Sequence, residues 1–303
     1  MASHVFPLGE ASGSEKATAK PRLQLRIGSM AVRFINGKQN ARLKELRRAL
    51  TSPGSHSRAA LEGPHLLEEA LRGGLKIACV FAAQGEERLL EGLPLPPEVD
   101  VLLVPRPLLA SVLTTETPQA IAALVEPPDW TWAHLFADHG RAAPIIVAAG
   151  LQDPGNLGTI VRSAEAFGAA GIVVLPGTVT PWNPKAVRAS AGSILRVPVI
   201  AAEEQECFDE LREAGFKIYA TALREARAAG ELDLTVPAAL IIGNEGNGVP
   251  KALAARADGQ ITIPCPGPVE SLNAAVAASV LLYEAARQRA ASPGLHPVQR
   301  RAR

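Results

Sequence analysis

Short apolar runs alternate with helical patterns through the second half of the chain. Five runs of six to eight residues predict strands; they are IIVAAG, GIVVLP, FKIYATAL, AALIIGN and GQITIP. Helical segments separate or follow them, at 157–168, 183–193, 204–214, 249–257 and from 272 to about 289. Continuous apolar strands that alternate with helices are typical of a parallel sheet covered on both faces. We therefore predict an α/β domain over residues 145–290.

A less regular α/β pattern occupies the first half. The stretch NARLKELRRAL (40–50) predicts a basic amphipathic helix, and EGPHLLEEALRGG (62–74) predicts a second helix that ends at its two glycines. Three apolar runs, LKIACVFA, VDVLLVP and IAALVEP, are candidate strands. We expect the following organisation: a disordered arm (1–29), a smaller α/β domain (30–126), a Pro-flanked linker (127–144), the larger domain (145–290) and a basic tail (291–303).

Composition restricts the class of protein. The formal net charge is only +1, so any surface for nucleic acid or membrane has to be local. The cysteines Cys79, Cys207 and Cys265 are far apart and form no C-x-x-C pair, which favours reduced thiols in the cytoplasm over disulfides or zinc. The histidines show no metal-ligand spacing, and no apolar run approaches the roughly 20 residues of a membrane span. We expect a cytoplasmic protein without a metal ion.

Ligands of parallel sheets lie beyond the carboxyl ends of the strands, so the residues there are informative. In AAGLQDPGNLGTIVRSAEAFG (148–168), a turn follows the strand and Asn156 is in position to cap the helix that carries Arg162. By itself this stretch is explained by a capped helix with an Arg162–Glu165 surface pair.

A second strand end, LIIGNEGNGVPKAL (240–253), is rich in glycine, which allows close approach of backbone to a ligand. It is not a dinucleotide fingerprint, because Lys251 stands where G-x-G-x-x-G requires glycine, and the chain contains no P-loop. A dehydrogenase of the Rossmann type is therefore disfavoured. A turn of left-handed residues remains an alternative for this stretch alone.

The third strand end is ITIPCPGPVESLNAAVAAS (261–279), in which three prolines stiffen a loop before an Ala-rich helix. Close packing of a core helix explains the alanines. It does not explain why Glu270, Ser271 and Asn273 all precede that helix, because one polar cap would suffice.

Together the three stretches resemble, in order and spacing, the motifs of the SpoU/TrmH family of RNA ribose 2′-O-methyltransferases in the SPOUT superfamily. The matching patterns are N-L-G-T-I-x-R, I-G-N-E-G-x-G and I-P-x-x-G-x-V-E-S-L-N. The stretch TPQAIAALVE (117–126) also looks like the substrate-binding domain of ribosomal-RNA members, with Ala120 where the family usually has glycine. The resemblance implies a C-terminal SPOUT domain with a deep trefoil knot, S-adenosylmethionine as cofactor, and a homodimer.

The resemblance also implies the site residues. The cofactor would lie against Thr221, Ala222, Gly243, Ile263 and Leu272. The catalytic positions would be Asn156, Arg162, Glu245, Ser271 and Asn273. A guanidinium has no lone pair to accept a proton, so we expect Arg162 to hold a phosphate and to stabilise the developing alkoxide. We expect Glu245 to orient Arg162 or Asn156.

Local positive charge indicates an RNA partner. The predicted helix at 40–50 carries Arg42, Lys44, Arg47 and Arg48, although a solvated helix face explains these equally well. The resemblance of the first half favours 23S ribosomal RNA as substrate, with transfer RNA as the alternative. A non-catalytic RNA-binding protein with the same fold is a further alternative, which the intact catalytic positions disfavour.

Overall fold

A computed structural model describes residues 25–27, 30–54, 58–137 and 143–292. In it the first half of the chain forms a six-stranded mixed sheet. Its strands are β1 (Leu25–Ile27), β2 (Met30–Phe34), β3 (Ala59–Glu62), β4 (Ile77–Ala83), β5 (Asp100–Val104) and β6 (Ile121–Val125). Its helices are α1 (Ala41–Thr51), α2 (Pro64–Arg72) and α3 (Arg106–Ala110). The strand order is β1-β2-β5-β4-β6-β3, with β2, β5 and β4 parallel and the other pairs antiparallel.

The helices and strands predicted in this half are present, and three further strands were not predicted. The prediction of a disordered arm is wrong for residues 25–27, because β1 pairs antiparallel with β2. The rest of that arm, and the basic tail after Ser292, lie outside the described residues. β3 is only four residues long, and its last residue, Glu62, falls inside the predicted helix 62–74, which in the structure begins at Pro64.

The segment predicted as an irregular linker contains a short helix, α4 (Trp132–Phe136). Leu135 is buried, Trp132 stacks on Phe136 with ring centroids 5.7 Å apart, and Phe136 lies 5.8 Å from the Phe216 ring. Aromatic contacts of this kind bury large apolar areas. The prediction of irregular structure is therefore wrong for these five residues, which pack on the second half of the chain.

The second half forms a seven-stranded sheet in which every adjacent pair is parallel. Its strands are β7 (Ile145–Ala148), β8 (Gly171–Val174), β9 (Val199–Ala201), β10 (Lys217–Thr221), β11 (Arg227–Ala228), β12 (Ala238–Ile242) and β13 (Gly259–Thr262). Its helices are α5 (Pro154–Ala166), α6 (Pro184–Ala189), α7 (Glu204–Glu213), α8 (Lys251–Ala254) and α9 (Ala274–Ala291). The predicted parallel α/β fold is confirmed, with the short strands β9 and β11 in addition.

The strand order β11-β13-β10-β12-β7-β8-β9 places β13, β10, β12 and β7 side by side. Their carboxyl ends therefore meet at one edge of the sheet, and the three motif-bearing stretches start there. No helix in the described part of the chain is long and apolar enough to cross a membrane.

One buried apolar cluster is continuous across both halves. It includes Leu67 and Val80 from the first half and Ile146, Leu157 and Leu281 from the second. A second cluster lies under α7 on the other face of the parallel sheet, and a third lies under α1 and α3 on the outer face of the first sheet. Both faces of the parallel sheet are covered, as the sequence pattern predicts.

Candidate active site at the carboxyl edge of the parallel sheet

The start of α5 sets the geometry of the site. Asp153 is the N-cap: its carboxylate accepts a hydrogen bond from the Gly155 amide at 2.9 Å, and Lys185 Nζ bonds the same oxygen at 2.7 Å. The Lys185 hydrogen bond, with the Gly155 amide, holds the pKa of Asp153 below its usual value. The prediction that Asn156 caps α5 is therefore wrong. Asn156 lies inside the first turn, which leaves its side chain available to the site.

Asn156 connects two of the three motif-bearing stretches to each other. Its Nδ2 donates to Glu245 Oε1 at 2.9 Å, and its Oδ1 accepts from Asn273 Nδ2 at 3.0 Å. Asn156 is 8% exposed, so both sides of its amide are used in a largely buried position. Glu245 and Asn273 lie 89 and 117 positions further along the chain, and both hydrogen-bond the Asn156 side chain. The sequence grouped these three residues, and the structure brings them together.

Glu245 accepts hydrogen bonds on both carboxylate oxygens. Oε1 accepts from Asn156 and from the Asp153 amide at 3.3 Å, and Oε2 accepts from the Gln152 amide at 3.2 Å. Burial alone would raise the pKa of Glu245, but these hydrogen bonds outweigh it and lower the pKa. Glu245 is therefore an anion at neutral pH that accepts the hydrogen bond of the Asn156 amide. No contact with Arg162 accompanies these bonds among the described residues.

Asn273 is the one of the three polar residues before α9 whose position the structure explains. Its Oδ1 caps the helix by accepting from the Ala275 amide at 2.9 Å and the Val276 amide at 3.3 Å, and its Nδ2 reaches Asn156. One side chain therefore performs both the cap and the link to the site. Glu270 and Ser271 are exposed, and neither hydrogen-bonds this cluster within the described residues.

The loop after β12 is folded by Asn244, a residue that the sequence analysis did not single out. Its Oδ1 accepts from the Gly246 and Asn247 amides at 2.9 and 3.2 Å, and its Nδ2 donates to the Gly150 carbonyl at 2.9 Å. A Cβ on Gly243 would lie 2.1 Å from the Gly248 backbone, so only glycine fits there. The signal for Asn244 was its place directly after Gly243 at the start of a glycine-rich turn, where an asparagine side chain often bonds the backbone of the turn.

Arg162 lies on α5, two turns after Asn156, and is exposed. The Arg162–Glu165 pair considered from the sequence is not observed. The two carboxylate oxygens of Glu165 instead accept hydrogen bonds from Arg196 at 2.7 and 2.9 Å. In the described part of the chain Arg162 makes no hydrogen bond or ion pair. The guanidinium on the helix that carries Asn156 is therefore available to an anionic ligand.

The expected cofactor-binding residues lie at or just after the carboxyl ends of β10, β12 and β13, or just before α9; they are Thr221, Ala222, Gly243, Ile263 and Leu272. Their polar groups are partly used within the protein: Thr221 Oγ1 donates to the Ile241 carbonyl at 2.9 Å, and the Ala222 amide donates to the Ile261 carbonyl at 3.0 Å. Ile263 and Leu272 are half-buried. These two side chains therefore leave apolar surface partly open to solvent.

The basic residues expected to contact RNA lie on α1. Arg42 is tied to Glu45 by a hydrogen bond at 3.0 Å, which raises the pKa of Arg42. Arg47 donates to the Ser111 carbonyl at 3.1 Å while remaining exposed. Lys44 and Arg48 are exposed and form no ion pair within the described ranges. In the same part of the chain, no group of His, Cys, Asp and Glu residues is arranged to hold a metal ion.

The fold and the site define an α/β enzyme that binds its ligands at the carboxyl edge of a parallel sheet. Comparison with known proteins gives the family. Residues 143–283 match the SpoU rRNA methylase family, and residues 60–131 match the RNA 2′-O ribose methyltransferase substrate-binding family.

Two curated relatives are similar over most of the chain. A Bacillus subtilis protein named 23S rRNA (guanosine(2553)-2′-O)-methyltransferase RlmP is 36% identical over 223 residues, covering 74% of this chain and 86% of its own. A Synechocystis protein named as an uncharacterized tRNA/rRNA methyltransferase is 35% identical over 269 residues, covering 86% and 96%. An AdoMet-bound rRNA methyltransferase from Sinorhizobium meliloti has a similar structure, with a TM-score of 0.75, 28% identity and coverage of 86% and 98%.

The chain therefore belongs to the SpoU/TrmH family of RNA methyltransferases, as an RNA ribose 2′-O-methyltransferase that uses S-adenosylmethionine. When bound, the cofactor supplies an electrophilic methyl group on a sulfonium. The task of the chain's own residues is to place a ribose 2′-hydroxyl in line with that group and to stabilise the charge that develops on its oxygen.

Proposed function

We propose that this methyltransferase modifies a ribose in 23S ribosomal RNA. The Bacillus subtilis relative, of which this chain covers 86%, is named for that substrate. The match of residues 60–131 to a substrate-binding family supports an RNA-selecting role for the first half. Transfer RNA is the second candidate, because the Synechocystis relative is named for either RNA. Because both ribosomal and transfer RNA occur in the cytoplasm, we place the enzyme there.

The observation that carries the proposed catalytic roles is the hydrogen-bonded chain Glu245–Asn156–Asn273, with Arg162 on the same helix as Asn156. We assign Arg162 to an RNA phosphate and to the developing 2′-alkoxide, because a guanidinium is a planar donor that suits anionic oxygens and this one has no internal partner in the described part of the chain. Asn156 and Asn273 shape the pocket for the ribose, and Glu245 fixes the direction in which the Asn156 amide points. Ser271, exposed two residues before Asn273, completes the polar lining in this proposal.

The proposal includes the knot and the dimer that family membership implies. The C-terminal segment would thread a loop of the parallel sheet, with the cofactor bent within it. Self-association is supported by an apolar stripe on α9, formed by Val276, Val280 and Tyr283, all of them exposed. These residues are spaced four and three apart, so they share one face of the helix. A two-fold contact would bury the same stripe on both copies.

We assign RNA binding to the first half, with Lys44, Arg47 and Arg48 on the exposed face of α1 as phosphate contacts. Arg42 is a weaker candidate for a phosphate contact, because its charge is already neutralised by Glu45. Phosphate contacts set affinity and its salt dependence, whereas bases in loops set the choice of RNA.

The direct test of the substrate is to map 2′-O-methyl groups in RNA from cells with and without this gene, and then to restore the lost site in vitro. Purified enzyme and S-adenosylmethionine should methylate unmodified 23S ribosomal RNA at the position that disappears in the deletion strain. Loss of a methyl group only in transfer RNA would refute the proposed substrate and establish the second candidate.

A further inference from the structure

A charged contact joins the first half of the chain to the catalytic helix α5. Arg196, just before β9, donates from Nε and Nη2 to the two oxygens of Glu165 on α5, at 2.7 and 2.9 Å. Its remaining nitrogen, Nη1, pairs with Glu69 Oε2 on α2, 127 residues away along the chain. The Glu69 and Arg196 side chains are 8% and 28% exposed. One guanidinium thus contacts both halves.

The backbone next to this contact is shaped to admit Glu69. Ala191 and Gly192 follow α6 with positive φ angles of 49° and 90°, and a positive φ is uncommon for alanine. A Cβ on Gly192 would lie 2.8 Å from Glu69 Cγ, so a side chain there would displace the glutamate. Strained backbone persists where its surroundings hold it, and here the surroundings include a side chain from the other half.

Stability alone does not account for this arrangement. The apolar cluster already joins the two halves, and a largely buried ion pair contributes little net stability because its charges lose their hydration. A planar guanidinium that is bidentate to one carboxylate and bonded to a second one instead fixes the angle between the elements that carry them. The contact is therefore better suited to setting an orientation than to holding the halves together.

The element oriented in this way is the one that carries the site. Glu165 lies three residues after Arg162 and nine after Asn156 on α5, and α2 belongs to the half to which we assign RNA selection. Methyl transfer requires the selected ribose to reach these side chains in one geometry. A misplacement of about 1 Å is enough to cost on the order of 10²-fold in rate.

We propose that Arg196 and Glu69 are positioning residues that set the first half in register with α5, so that bound RNA meets Asn156 and Arg162 correctly. This inference rests on the proposed roles of those two residues and of the first half. It predicts that disturbing the contact lowers the rate of transfer while both binding steps remain intact.

The test uses the full chain with Arg196→Lys, which keeps the charge but loses the two-pronged geometry, and Glu69→Gln, which keeps the shape but loses the charge. The matched control is Arg72→Lys, because Arg72 pairs with the other oxygen of Glu69 from within α2 and is exposed. The measurements are the single-turnover rate at saturating RNA and cofactor, the Kd for each ligand, and the Tm. The substrate is the RNA that the methylation map identifies.

We expect a 10- to 100-fold lower single-turnover rate for Arg196→Lys and Glu69→Gln, an approximate range for misplaced reactants. Cofactor and RNA affinities should stay within about two-fold, and the double variant should be little worse than either single one because both act through one contact. Arg72→Lys should match the wild type. Variants with a lowered Tm but an unchanged rate at a temperature where they are folded would overturn the proposal. A methylation map that shows transfer RNA as the substrate would refute the 23S assignment. The same variants would then be compared with the wild type on that transfer RNA, and the result would decide the positioning role in the same way.

Discussion

Asn156→Asp should reverse the pH dependence of stability at the site. The substitution keeps the shape of the side chain but replaces the Nδ2 donor, 2.9 Å from Glu245 Oε1, with an acceptor that can carry a negative charge. Two carboxylates at that separation cannot both be ionised without cost, so the pair retains a proton. In the wild type the pKa of Glu245 is lowered, so its contribution to stability is present above the unfolded pKa and is lost as the pH falls through the folded pKa.

The size of the effect follows from the separation. Two unit charges at that distance repel by about 1.4 kcal/mol with a dielectric constant of ~80 and by about 6 kcal/mol at ~20. Because Glu245 is exposed, screening favours the lower part of this range, roughly 1.5–3 kcal/mol. In the variant the shared proton raises the pKa of the pair above its unfolded value. The variant's stability is therefore retained below about pH 4 and lost as the pH rises through the folded pKa.

The assay is thermal unfolding of both proteins from pH 4 to pH 8. At roughly 2–4 °C per kcal/mol, Asn156→Asp should unfold about 3–12 °C below the wild type at pH 8 and much closer to it at pH 4. Asn40→Asp is the matched control, because Asn40 caps α1 by accepting from the Arg42 and Leu43 amides and aspartate is an equally good cap. A Tm difference between Asn156→Asp and wild type that does not change with pH would refute the reasoning about this pair.

Four further predictions concern binding, catalysis and assembly. Arg162→Ala should lower the methyl-transfer rate by about 10²–10³-fold while calorimetry shows unchanged cofactor affinity; near wild-type turnover would eliminate its proposed role. Asn273→Ala removes both the α9 cap and the hydrogen bond to Asn156, so cofactor affinity and methyl-transfer rate should both fall. Loss of the cap should also lower the free energy of unfolding by about 0.5–2 kcal/mol. An unchanged cofactor Kd would contradict this prediction. Val280→Glu should shift a dimer towards monomer in sedimentation at micromolar concentration, and a monomeric wild type would exclude the dimer. Replacing Arg47 and Arg48 with Ala should reduce the salt slope of RNA binding by roughly 1.4–1.8 if each contacts one phosphate, and an unchanged slope would remove α1 from the RNA surface.

The parallel sheet could be predicted from the sequence because its long strands are continuous apolar runs, such as the stretch that became β12. The grouping of Asn156, Glu245 and Asn273 could be predicted from the three motifs at strand ends. What the motifs did not contain was the direction of each hydrogen bond. Asp153, not Asn156, caps α5, because the cap position is set by where the first turn begins.

Contacts between distant segments were beyond the reach of local patterns. Glu165 lies three residues from Arg162, a spacing that favours a pair within the helix, yet it bonds Arg196 from another part of the chain. Likewise, a Pro-flanked stretch with two tryptophans has no helical period long enough to predict α4. That helix depends on the Phe216 ring against which Phe136 packs. Tertiary packing overrides local propensity in such short elements.

The apolar cluster shared by the two halves has a consequence for synthesis on the ribosome. Leu67 and Val80 are made before Ile146, Leu157 and Leu281, with which they share one buried cluster in the finished protein. At about 5–20 residues per second, the interval between Val80 and Leu157 lasts roughly 4–15 s, and Leu281 follows later still. During that time α2 covers only part of that face of the first sheet, and the part that the second half later buries is open to water. We expect the nascent first half to be a chaperone client, and a chain that stalls before α5 to aggregate rather than to remain as a folded domain.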